Sequence, residues 1–106
     1  MIDWNRVAEL KEEVGVEDFD EVIELFLEEV DEVIERLTSH PDLTKLEEDL
    51  HFIKGSALNL GFDMLGKLCQ TGEKAAANGQ SASVDVGQIV TAYRNSIEEF
   101  NQPAAV

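Results

Sequence analysis

Between Leu43 and Leu60 the apolar residues Leu43, Leu46, Leu50, Ile53, Ala57 and Leu60 are spaced 3,4,3,4,3. That interval draws one stripe along an α-helix and does not suit the two-residue period of a strand. Comparable spacing returns in each of the other segments, none shows strand alternation, and no internal repeat interrupts the series. The chain is therefore expected to be all-α, and the breakers between the stripes divide it into five helices.

The first helix is predicted over residues 4–14, with Asp3 as its N-cap, Gly15 as its stop, and Trp4, Val7, Leu10 and Val14 along its apolar edge. Eleven residues are marginal as an isolated helix, so it needs a docking surface. Asp18 followed by Glu21 has the spacing of a capping box and opens the longest helix, 19–38. Phe19, Val22, Ile23, Phe26, Val30, Val33 and Leu37 form its apolar face, and acidic residues fill the rest. His40-Pro41 forces a break, after which Asp42 is placed to cap a third helix over 43–60 that ends at Gly61. Asp63 is expected to cap a fourth helix over 64–78, closed by Asn78-Gly79, and a fifth follows over 84–101 before Pro103. Short connections favour antiparallel neighbours. The expected architecture is an antiparallel up-down four-helix bundle with the short N-terminal helix packed over one end.

A chain of 106 residues is long enough for one core and too short for two, so residues 1–106 read as a single domain. The start lacks a basic segment followed by an apolar one, and no apolar run is long enough to span a bilayer, so a cytoplasmic protein is expected. The one cysteine, Cys69, shares helical phase with Leu65 and Leu68 and reads as a buried structural thiol. A formal net charge of −15 argues against nucleic acid and anionic membranes as partners. The charge is unevenly spread. Residues 51–80 carry Lys54, Lys67 and Lys74 against Asp63 and Glu73, 3 − 2 = +1, leaving 5 − 21 = −16 elsewhere.

That non-acidic stretch contains His51. At about 100° per residue, Lys54 falls about 60° to one side of His51 and Gly55 about 40° to the other, while the apolar stripe is centred roughly 130° away. The histidine thus lies beside the seam and not in it. A lone histidine near a stripe is most often a boundary residue. Glycine in a helix interior, however, costs about 1 kcal/mol relative to alanine, so Gly55 implies that something must come close. An unprotonated ring nitrogen, a cation one turn away and open space together suit acceptance of a phosphoryl group.

The run His51-Phe-Ile-Lys54-Gly55-Ser56-Ala57, followed by Leu60-Gly61 and then Leu65, Leu68 and Cys69, strongly resembles the signature of histidine-containing phosphotransfer (HPt) domains, the carriers of phosphorelays. The number and order of the helices fit as well. The resemblance implies that His51 exchanges a phosphoryl group through Nε2 with the aspartate of a response-regulator receiver domain, within a pathway headed by a sensor or hybrid histidine kinase. It implies that Lys54 helps to hold the phosphoryl oxygens, and that Glu73, or its rival Gln70 one turn earlier, hydrogen-bonds the other imidazole nitrogen. Receiver docking is expected over Gly55, Phe52, Leu58, Lys67 and Lys74. Lys67, Gln70 and Lys74 also read as a solvated helix edge, and Phe52 as packing for the N-terminal helix. Ser56 reads as packing.

Such a carrier needs no nucleotide site, and none of the usual glycine-rich signatures is present. No cofactor of its own is expected; Mg2+ would reside on the receiver. The chain is expected to be a phosphoryl carrier without kinase activity and a monomer. Two other readings compete. One is a helical module that tethers or inhibits a signalling partner without taking phosphate. The other is a metal-binding bundle built on Glu48-x-x-His51, a spacing that needs a second copy and further inward glutamates.

Overall fold

Most helices in this chain begin or end on a local chemical signal, and where the signal differs from expectation the boundary moves. The computed structural model describes residues 2–101 and is all-helical: α1 (Trp4–Val14), α2 (Phe19–Ser39), α3 (Leu46–Leu60), α4 (Asp63–Ala77) and α5 (Val86–Phe100). Two short 3-10 turns, Leu43–Lys45 and Ser81–Ser83, precede α3 and α5. The one β-bridge among the described residues pairs Ile2 with Phe62. Pro103 lies outside the described residues.

Asp3 caps α1 by accepting from the Arg6 N–H at 3.2 Å, and Gly15 ends it at φ 87°. The expected capping box at Asp18 and Glu21 does not form. Asp18 already has helical backbone angles and makes no side-chain cap bond, because the turn after Gly15 runs directly into α2. Asp42 does cap, accepting from the Thr44 N–H at 3.0 Å and the Thr44 hydroxyl at 2.6 Å, but it starts a 3-10 turn; α3 proper begins at Leu46, and Leu43 stays exposed. Asp63 is not the cap of α4. Phe62, held by the bridge to Ile2, takes the boundary position, and Asp63 becomes the first helical residue, ion-paired with Lys67 at 3.0 Å. The last helix starts two residues later than expected, where the Asp85 side chain accepts from the Gln88 N–H at 3.0 Å.

The core is one cluster drawn from all five helices. α3 supplies Leu46, Leu50, Ile53, Ala57 and Leu60, each at most 1% exposed. Each large aliphatic side chain so buried contributes roughly 1.5–3 kcal/mol before chain entropy is subtracted. On α2 the buried set includes Ile34, outside the expected face, whereas Val22 and Phe26 are only half-buried. Cys69 is fully buried.

α3 packs most extensively against α4. Glycines on α4 permit this. A Cβ at Gly66 would lie 3.0 Å from Leu58 Cδ2, and one at Gly72 would lie 2.8 Å from Leu50 Cδ1. The pairing of 58 with 66 and of 50 with 72 fixes opposite chain directions for the two helices. α1 holds the turn between them: the Asp3 N–H donates to the Gly61 carbonyl at 2.7 Å, Arg6 Nε donates to the Asn59 carbonyl at 3.2 Å, and Trp4 stacks on Phe100 with ring centroids 6.0 Å apart.

Candidate functional site

The seam of α3 decides where His51 points. Residues 46, 50, 53, 57 and 60 face the core, so His51 and Gly55 turn outward, and the His51 side chain is 69% exposed. Across the α3–α4 contact, Gly72 lets the backbone beside Glu73 come close. His51 Nδ1 lies 2.7 Å from Glu73 Oε2, and Lys54 Nζ lies 2.7 Å from Glu73 Oε1. One carboxylate therefore bridges the imidazole and the ammonium, using a different oxygen for each.

The proton positions follow from the donor inventory. An ionised carboxylate only accepts, so Nδ1 must donate to it, and in the neutral ring Nε2 is left with its lone pair. The Lys54 hydrogen bond is the main reason the Glu73 carboxyl is held below the ordinary value of 4.5; partial burial opposes it, and the bond from His51 adds to it. Glu73 is thus ionised at neutral pH. Cys69, one turn before Glu73, is an inert thiol, its pKa pushed up to about 12 chiefly by burial.

Gln70, the sequence rival of Glu73, is exposed, and its side chain makes no hydrogen bond among the described residues. Gly55 has ordinary helical backbone angles, and a Cβ there would meet no atom within 4 Å. The helix face around it is open. Leu58 is 52% exposed and packs over Gly66. Lys67 is engaged by Asp63, and Lys74 is exposed. Phe52 does not support α1, whose contacts lie at the other end of α3; it lines a groove between α2 and α3. Ser56 is buried.

Among the described residues no group of three or more His, Cys, Asp or Glu side chains is placed to hold a metal ion. Glu48 lines the α2–α3 groove. His40 ends α2 and is exposed.

A family model described as the Hpt domain matches residues 21–102. The chain belongs to the Hpt domain family. Comparison with curated proteins and with solved structures returns no match. Hpt domains act in phosphotransfer in two-component signalling, as phosphoryl carriers without kinase activity that interact with two-component kinases and receiver domains. α1 lies outside the matched stretch of this Hpt chain. No helix among its described residues is long and apolar enough to cross a membrane.

The arrangement also contains a pair that the sequence reading missed. Asp49 is buried on α3 and ion-paired to Arg36 on α2. Its phase, three residues after Leu46 and four before Ile53, places it at the edge of the seam, where an acidic residue requires a cation.

Proposed function

We propose that this Hpt domain is a phosphorelay intermediate in which His51 accepts a phosphoryl group from a receiver aspartyl phosphate, or from a histidine kinase, and passes it to a response-regulator receiver. The observation that carries this reading is the His51–Glu73 contact on an exposed helix face, because an Nδ1–H donated to that carboxylate leaves the Nε2 lone pair free to attack. In the forward step the Nε2 lone pair forms the N–P bond while the aspartyl O–P bond breaks and the carboxylate leaves. Nδ1–H stays on Glu73, so positive charge developing on the ring meets a carboxylate. Lys54, resting on Glu73, supplies the cation for the phosphoryl oxygens. Gly55 keeps the approach to Nε2 low, with Phe52, Leu58, Lys67, Gln70 and Lys74 around it as the docking rim. Mg2+ and the reacting aspartate belong to the receiver.

The scaffold for this function is a single domain over residues 1–106, with α2–α5 as an antiparallel up-down bundle and α1 over one end, working as a cytoplasmic monomer. The test is phosphotransfer profiling against phosphorylated receiver domains from the same genome. The parent chain acquires acid-labile label and His51→Gln, whose side chain lies off the core, acquires none. Label persisting on His51→Gln, or mapping to His40, contradicts the proposal. A parent that binds receivers but takes no label is instead a tethering module.

A further inference from the structure

Beside the His51 face, between α2 and α3, runs a groove of about 630 Å3. Its lining carboxylates are Glu29, Glu32, Glu48 and Asp49, and its cations are Arg36 and Lys45. Asp49 and Arg36 neutralise one another, which leaves three glutamates against one lysine, 1 − 3 = −2. Among the described residues no cation is ion-paired with Glu29, Glu32 or Glu48. Phe52, 37% exposed, forms part of the wall. It directly follows His51 in the chain, about 100° round the helix on the side away from the seam, so it belongs both to the surroundings of the imidazole and to the groove.

Carboxylates around an exposed aromatic ring fit a particular chemistry. A lysine or arginine side chain entering the groove meets unpaired negative charge while its stem or guanidinium covers the ring. An anionic or purely apolar segment gains nothing from the three glutamates. We propose that this groove seats a lysine- or arginine-bearing segment of the receiver that docks over His51, and that it sets which receivers the chain accepts. This rests on the receiver-docking reading of the His51 face. The groove extends that footprint from Phe52 toward α2 and adds a charge criterion, acting on encounter and on discrimination between receivers.

The full chain is titrated with each receiver domain encoded by the same genome, and the tightest binder serves as the probe at low and high salt. Two triple variants are compared with the parent: Glu29→Gln/Glu32→Gln/Glu48→Gln in the groove, and Glu12→Gln/Glu17→Gln/Asp20→Asn, exposed carboxylates outside it. Both remove equal charge. The groove variant is expected to lose roughly tenfold or more in affinity at low salt together with most of the salt dependence, while the control stays within about twofold. Phe52→Ala is expected to weaken binding by about fivefold. Equal weakening by both triple variants reduces the effect to net charge and overturns the proposal, as does an unchanged groove variant or a parent that binds no receiver. Labelling of the parent by phosphoramidate reads the His51 assignment separately: if it fails while the groove variant still loses receiver binding, the phosphoacceptor reading falls and the groove stands.

Discussion

At the level of single residues the site depends on Glu73, which shares its two oxygens between His51 and Lys54. Because its carboxyl is held below 4.5, mainly by Lys54, its contribution to the folded state is fully present above that ordinary value and is lost as pH falls through the lowered one. Carbon NMR should therefore give Glu73 a midpoint below 4.5 in the parent and a higher midpoint in Lys54→Ala, since the largest lowering influence has gone. An unchanged midpoint in the variant contradicts the bridging role. Gly55 offers a second test. Its backbone is helical and the space around it open, so Gly55→Ala should stabilise the fold by about 0.4–1 kcal/mol through the unfolded state. Gly55→Gln should keep its melting temperature and its labelling by a small phosphodonor yet transfer poorly with receivers. Unfolding, or undiminished receiver transfer, contradicts the close-approach argument.

At the level of elements, the α3–α4 hairpin brings position 51 opposite position 73, and α1 clamps its turn. Gly61 is where both requirements meet. Its φ is 81°, and a Cβ there would lie 2.7 Å from the Asp3 carbonyl oxygen, a backbone atom. Gly61→Ala should cost roughly 1–2 kcal/mol from the left-handed conformation alone, and more from displacement of α1. Thermal unfolding measures this; a loss below about 0.5 kcal/mol, the usual range for a neutral surface change, contradicts the clamp. The five helices are legible in the sequence because a 3,4 stripe needs only one neighbouring surface to be buried. Their starts are less so. Whether Asp18, Asp63 or Asp85 caps depends on the preceding turn: Asp18 is absorbed into one, Phe62 is pinned by Ile2 ahead of Asp63, and a 3-10 turn delivers Asp85. Helical phase alone puts His51, Lys54 and Gly55 on one face. The choice of Glu73 over Gln70 as the hydrogen-bonding partner needs the relative depth of two helices, which Gly66 and Gly72 set by close approach and which no single-helix pattern encodes. Asp49 and Arg36 were hidden for the same reason, their pairing being a property of α2 against α3.

For the molecule as a whole, an acidic chain of net charge −15 keeps the stretch of residues 51–80 near neutrality and turns its histidine outward. The core beneath is apolar and its thiol inert, so the candidate acceptor at this face is the ring nitrogen that the Glu73 contact leaves free. The atom that receives the phosphoryl group is therefore the most direct test. Nitrogen and phosphorus NMR of the phosphorylated, nitrogen-15-labelled chain should show a single phosphoramidate at Nε2 of His51, with Nδ1 still protonated; phosphorylation at Nδ1, or on any residue other than His51, would contradict the account.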